Sequence, residues 1–449
     1  MSACGAGAQT LIQAIRINTG RTGAEQEAAL LQWQNFLRER FPLVHRQLEC
    51  HAPDPWRLWY RWQGADDSSQ PILLLAHYDV VPAPSEGWTH PPFEGTVADG
   101  FLWGRGAIDN KLSHIAILHA VEALLQSGHV PARTVYLAFG GDEETGGERG
   151  AARIAEAFRT LGLTFAMTLD EGALAVRAML PGLQGPAALV GCGEKGHINV
   201  MITGSDTGGH AATPARRDAT TALIRALSRI QQSPSPTRKT RSVTAFVRAL
   251  GRQLSGVSGL LMRSYPLTAP LVHAVFSRRG ETDAMVRTTR AITMLAGSLA
   301  PNVLPSSPRA TINIRLLPGD TIDETVKRLQ RLLQRERVTV ELASGWDNNE
   351  APEESSPDGR WFELLGQAIH SSLGPMPVLP YLVTATTDSR HYQDMSAQTY
   401  RFVPLTLTRE QIAGVHGTDE RIPLEQVEQA ITFYRTLFEN LPHRRDHSE

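Results

Sequence analysis

Three short runs constrain this chain more than any other feature: PILLLAH (71–77), TVYLAFG (134–140) and FAMTLD (165–170). Each is continuously apolar, whereas a strand with one wet face alternates apolar and polar residues. Such strands must be covered on both faces, the situation of a parallel sheet sandwiched between helices. Between the first two, KLSHIAILHAVEALLQSG (111–128) has the period of an amphipathic helix, and Gly128 is placed to end it. Buried strand, helix, buried strand predicts an α/β fold with a mostly parallel central sheet flanked by helices. Residues 24–40 read as a further helix stopped by Pro42, and RLWYRWQ (57–63) as a half-exposed, alternating strand.

The pattern changes near residue 194. INVMITGS (198–205), ATINIRLLP (310–318) and VTVELAS (338–344) alternate, and ATTALIRALSRI (219–230) and TIDETVKRLQRLLQ (321–334) are helical, the latter with Asp320 as its expected cap. Alternating strands with helices on one side predict a small α+β unit inserted into the larger one. Within it, the proline-bearing QQSPSPTRKTRS (231–242) opens a helical insertion to about residue 287, whose arginines read as a solvated face. Beyond DNNEAPEESSPDG (347–359) the first pattern resumes, with a helix at 361–374, a strand at 399–405 and a helix at 424–441. The expected division is therefore 1–193 and 347–449 for one catalytic unit, with 194–346 inserted.

A chain of 449 residues has room for two buried cores, and a formal net charge of −2 argues against a nucleic-acid partner. Three scattered cysteines, Cys4, Cys50 and Cys192, make neither a disulfide framework nor a thiolate metal site. The N-terminus lacks the basic and apolar regions of a signal peptide, and no apolar run is long enough to span a membrane. A cytoplasmic protein without a membrane partner is the expectation.

Chemistry-bearing residues follow the buried strands, where ligand sites of open α/β sheets form. His77 and Asp79 follow the first run, Asp142, Glu143 and Glu144 the second, and Asp170 and Glu171 end the third. Asp109, in GRGAIDNK, sits just before the helix. Any one of these has an ordinary explanation, as a chance tripeptide, an acidic turn or a helix cap. Together they form one histidine and several carboxylates at one sheet edge, a donor set suited to divalent metals bound through nitrogen and oxygen.

At this point the residues resemble a known family, the di-zinc peptidases and deacylases that include carboxypeptidase G, aminoacylase, acetylornithine deacetylase and succinyl-diaminopimelate desuccinylase. The resemblance covers nearly the whole chain, most closely in the branch of carboxypeptidase S, a Gly-X carboxypeptidase and N-acyl amino acid hydrolase type. It rests on LLLAHYDVVP (73–82), WGRGAIDNK (103–111), GGDEETGG (140–147), LDEG (169–172), GGHAATP (208–214), APNVLPSSPRATINIRLLPGDT (300–321), TTDSRHY (386–392) and VHGTDE (415–420).

What the resemblance implies is a zinc exopeptidase-like fold with an inserted ferredoxin-like lid, and two Zn2+ per chain, for which Co2+ or Mn2+ substitutes. Asp109 would bridge the metals, with His77 and Asp170 on one and Glu144 and His416 on the other. Glu143 would be the general base, Asp79 the residue orienting His77, and His210 a lid group polarising the scissile carbonyl. Asn302, Arg315 and Arg390 would hold the substrate's carboxylate. The family motif favours His416 over His391 as the last ligand, and the LDEG pattern favours Asp170 over Glu171. His391 becomes a pocket neighbour, and His197 is left open. The implied substrate is a small peptide or N-acyl amino acid, and the resemblance allows a homodimer through the lid. A biosynthetic deacetylase or desuccinylase, and a non-catalytic binder on the same scaffold, are the rival expectations.

Overall fold

A computed structural model describes residues 4–443 except Pro181 and Pro266. Its large sheet has eight strands, in spatial order Glu49–Asp54, Arg57–Trp62, Val135–Gly140, Ile72–His77, Met167–Arg177, Thr399–Leu407, Pro186–Glu194 and Val378–Val383. Ile72–His77 pairs in parallel with both of its neighbours, as does Met167–Arg177 with Thr399–Leu407. The first two strands add antiparallel at one edge.

The unbroken apolar runs have the predicted cause. Ile72, Leu74 and Ala76 enter one core with Leu112, Ile115 and Leu118 of the helix Lys111–Gln126. Leu73 and Leu75 enter a second core on the opposite face, against Ile154 and Phe158 of the helix Ala151–Thr160. Period-two side chains with both faces covered leave no position free for a polar residue. Arg57–Trp62 departs from its expected half exposure. Leu58, Trp59, Tyr60 and Trp62 are all buried, because both faces of the strand are covered: Leu58, Tyr60 and Trp62 enter the first core and Trp59 the second.

The inserted unit is a four-stranded antiparallel sheet in the order Thr289–Ala296, Arg309–Leu316, Gly196–Gly204, Val338–Leu342. Helices Ala219–Gln232 and Ile322–Leu333 supply Leu223, Leu227, Leu329 and Leu333 to its core. This is the β-α-β-β-α-β arrangement of a ferredoxin-like unit. Thr321, not Asp320, caps the second helix by accepting from the Glu324 N–H; Asp320 instead pairs with Arg238 and Thr288. The helical insertion packs back on the large sheet, Val243, Phe246, Val247 and Leu250 lying against Leu379, Leu382 and Val383.

Candidate metal centre

The parallel pairing brings the ends of Ile72–His77 and Val135–Gly140 beside the middle of Met167–Arg177, which runs on past the expected end at Asp170, and the side chains there meet in one place. His77 ends its strand 1% exposed. Its Nδ1 lies 3.0 Å from the Asp79 carbonyl and 3.3 Å from an Asp79 carboxylate oxygen, so Nδ1–H donates into that residue and turns Nε2 outward. Nε2 then faces Asp109 Oδ1 at 2.9 Å and Glu171 Oε1 at 3.0 Å. The other oxygen of Asp109 is 3.2 Å from His416 Nε2, which is also 3.1 Å from Glu144 Oε2. One carboxylate thus presents an oxygen to each of two histidines, and each histidine meets a second carboxylate.

Asp79 does more than orient His77. Its two oxygens accept the N–H groups of Glu143 and Glu144, at 3.1 Å each, and so set the turn that carries both glutamates. Asp142, the first acid of the triplet, acts elsewhere, its carboxylate accepting the N–H groups of Arg149 and Gly150 at the start of the next helix. In that turn Gly147 has φ +68°, and a Cβ there would stand 2.4 Å from Asp388 and 3.1 Å from His391, so a side chain would strain the backbone and collide.

Asp109 is fixed from a distant part of the chain. The buried Glu420 pairs with Arg105 at 2.6 Å and accepts the N–H groups of Gly106, Ile108 and Asp109. It therefore ties the 104–109 loop to the segment bearing His416. His416 and Asp419 both have positive φ, uncommon for residues with side chains, and the buried Glu420 follows at once to hold the turn. Glu420 and Arg105 stand inside the motifs that carry the resemblance, but only the fold brings them into contact.

Burial raises the proton affinity of the Glu143 carboxyl well above the usual range; His77 opposes the rise, and Asp388, Glu171 and Glu144 add to it. Burial likewise pushes Glu171 up to about 8, against His77 and with Asp109. His416 is held up to about 10 by Asp109 and Glu144. Burial favours neutral His77, but Glu171, Asp109 and Asp79 outweigh it and hold the ring well above its ordinary value. Carboxylates this close repel unless positive charge lies among them.

Divalent cations among them would meet that need. The donors fit such ions: all are nitrogen or oxygen, none a thiolate. Two groups each place their ligand atoms within 4.8 Å of one another, His77 with Asp109 and Glu144, and His77 with Glu143 and Glu171. Glu144 Oε1 is buried with no hydrogen-bond partner, an orphaned acceptor of the kind a cation satisfies.

Asp170 lies at the same edge but is engaged differently. Its oxygens accept the N–H groups of Ser389 at 2.7 Å and Glu171 at 2.9 Å, and Glu171 is the acid that meets His77. His391 Nε2 reaches the Gly146 carbonyl at 3.3 Å, and burial lowers its pKa to about 4. Arg390 is buried, donating to Asp347, to the Thr387 carbonyl and to the Gly146 carbonyl. Arg315 leaves the lid sheet toward the same loop, 3.2 Å from Thr386. His197, paired opposite Arg315 on the lid, is bonded to Asn313 at 2.6 Å.

His210 and Asn302 sit together at the lid's margin, where the Ala211 N–H donates to the Asn302 carbonyl. Both are exposed, and among the described residues no polar contact joins either to the histidine–carboxylate cluster.

The chain matches the model of peptidase family M20/M25/M40 over residues 73–440. It is 36% identical to a probable carboxypeptidase S-like protein of Dictyostelium discoideum over 419 residues, covering 93% of this chain and 80% of that one. With an N-fatty-acyl-amino acid synthase/hydrolase of Mus musculus it shares 34% identity over 439 residues, 96% of this chain and 87% of the other. A metallo-carboxypeptidase of the M20 family from Sulfolobus solfataricus superposes with a TM-score of 0.69 at 16% identity, covering 97% and 99% of the two chains. A Bacillus subtilis M20 peptidase described as binding a dinuclear metal gives a TM-score of 0.58 at 14% identity, over 97% and 99%. The chain belongs to peptidase family M20/M25/M40, a family of metal-dependent hydrolases of amide bonds, and is itself a hydrolase.

Proposed function

We propose that this protein is a di-zinc carboxypeptidase or N-acyl amino acid amidohydrolase, cleaving an amide bond next to a free carboxylate. The observation that carries the reading is Asp109, whose two oxygens face His77 and His416 separately, as a carboxylate bridging two cations would. His77 would serve one cation, and Glu144 with His416 the other. For the remaining ligand, Glu171 is better supported than Asp170, whose two oxygens are already engaged by backbone N–H groups.

A pair of divalent cations, zinc or in its place cobalt or manganese, supplies Lewis acidity and brings the pKa of bound water to about 7. The chain's own residues then do the proton work. Glu143, raised in proton affinity by its buried and acidic surroundings, takes a proton from the attacking water and returns it to the leaving nitrogen. Asp79 keeps His77 in one tautomer and holds the Glu143 backbone in place.

Arg315 would grip the substrate's carboxylate, since among the described residues a single donor of its guanidinium is engaged, by Thr386. Arg390 supports it by tying Asp347 to the loops at 146 and 387. His210 and Asn302 stand exposed on the lid, which suits a role toward substrate on lid closure or across a homodimer. The names of the relatives, carboxypeptidase S-like and N-fatty-acyl-amino acid synthase/hydrolase, suit a small peptide or N-acyl amino acid substrate.

The test is hydrolysis of a panel of N-acyl amino acids and dipeptides, with metal quantified on the same sample. A chelator should abolish turnover and zinc or cobalt restore it. Glu143→Ala should retain metal yet lose at least about a hundredfold in kcat. Chelator-insensitive hydrolysis, or a fully active Glu143→Ala, would overturn the assignment.

A further inference from the structure

The helical insertion holds a second feature that hydrolysis does not use. From Arg238 to Arg279 the chain carries eight arginines and lysines and no aspartate or glutamate, in a protein whose overall charge is −2. Several of these cations are gathered. One face of the helix Arg241–Gln253 presents Arg241, Arg248 and Arg252 to a groove of about 860 Å³, joined by Lys239 and Arg263 and floored by Phe362, Val378 and Pro380. The single carboxylate lining it is Asp358.

Two of the five cations already have protein partners. Arg263 donates to the carbonyls of Gly251 and Leu254, and Arg241 to Ser356. Among the described residues, Lys239, Arg248 and Arg252 meet no ion-pair partner. A concave site with three unpaired cations and an apolar floor is built for an anion attached to something apolar.

A second observation adjoins the groove. On the helix Gly256–Arg263, Val257, Leu260 and Arg263 fall three residues apart and share a face. Val257 is 74% exposed and Leu260 59%, and Leu267, just beyond that helix, is 89% exposed. Large apolar side chains this open, two of them on the helix whose Arg263 lines the cationic groove, have the make-up of a peripheral membrane-binding face. Such docking needs no spanning helix, and none of the described helices is long and apolar enough to cross a membrane.

We propose that this face docks the protein on a membrane surface rich in anionic phospholipid, the groove taking phosphate headgroups while Val257, Leu260 and Leu267 enter the acyl boundary. The cations gather only in the fold, which is why the sequence reads the arginines of the insertion as a solvated face. The proposal is independent of the hydrolytic reading, because none of these residues belongs to the metal centre.

The experiment is co-sedimentation of the full chain with vesicles of phosphatidylcholine alone or mixed with phosphatidylglycerol, over a salt series. Binding should require the anionic lipid and weaken as salt rises. The double variant Arg248→Glu, Arg252→Glu should lose at least about tenfold in vesicle affinity. So should Leu260→Ser combined with Leu267→Ser. Both should hydrolyse a soluble substrate as the parent does, which also reports that they fold. For a readout that leaves the charges intact, Leu267→Trp should show a blue-shifted emission with anionic vesicles only.

Equal binding to neutral vesicles, no binding to either, or charge-reversed protein binding like the parent would overturn the proposal. It would also fall if inorganic phosphate occupied the groove of a protein that ignores vesicles, since the site would then serve a free anion. A leucine variant that turned a dimer into a monomer while vesicle binding stayed constant would instead assign the apolar face to a second copy of the chain.

Discussion

Among single residues, the sharpest question is which acid of the third buried strand, Met167–Arg177, completes the cluster. Asp170 and Glu171 are adjacent, and in an extended strand adjacent side chains point to opposite faces, so they cannot both do so in the same way. Asp170 holds the Ser389 N–H; Glu171 meets His77. Glu171→Gln is therefore expected to cost about one equivalent of bound zinc, and Asp170→Asn to retain two, measured by metal analysis after gentle purification. The reverse result would restore Asp170 to the ligand set. Glu143, Glu144 and Glu171 are legible in sequence because they stand beside unmistakable apolar runs, whereas Asp109 stands only ahead of a helix. The choice between neighbours is not legible, because it depends on which face of the strand meets His77, and the pairing there is irregular.

At the scale of elements, two contacts decide how firmly the site is framed. Glu420 and Arg105, 3% exposed or less at their side chains, join the loop of Asp109 to the turn of His416. Removing one partner of a buried ion pair leaves the other uncompensated, at a cost of roughly 3–5 kcal/mol. Glu420→Gln should thus lower the denaturant midpoint by that much stability and weaken zinc binding with it. An unchanged midpoint would mean that the pair is dispensable.

The second contact is the seam between the helices Ala6–Ile15 and Lys111–Gln126, where His119 bonds Thr10 at 2.8 Å and stands edge-on to Phe41. Burial, and after it Arg40, lowers the pKa of His119 from 6.5 to about 4. The unfolded chain therefore binds this proton first, so stability is complete above pH 6.5 and lost as the pH falls toward 4. The loss is bounded at about 3 kcal/mol. His119→Gln should flatten the fall in unfolding free energy across that window, and an equal slope in both proteins would refute the account. The period of each helix predicts that such a seam exists, but not which helix lies opposite.

At the scale of the molecule, Arg315 is one of the contacts between the inserted unit and the large one, reaching the loop at 386–390. Arg315→Ala should raise KM for an N-acyl amino acid about 10- to 100-fold with kcat little changed, as loss of a charge-assisted bond in substrate and transition state alike would. The same variant should show no such penalty on the corresponding amide, which lacks the carboxylate. A penalty of equal size on both substrates would make Arg315 a structural residue.

The layered α/β body, the inserted α+β unit and the chemical nature of the donors are all legible in the residues alone, since hydrophobic period and residue type are local properties of a chain. Which residues meet is set by the packing of the whole chain. Asp109 and His416 are held together by Glu420, which binds Arg105 and the backbone amides of the Asp109 loop, and the arginines of the insertion line a groove. These pairings join residues far apart along the chain, and no local pattern can encode a distance that packing alone creates.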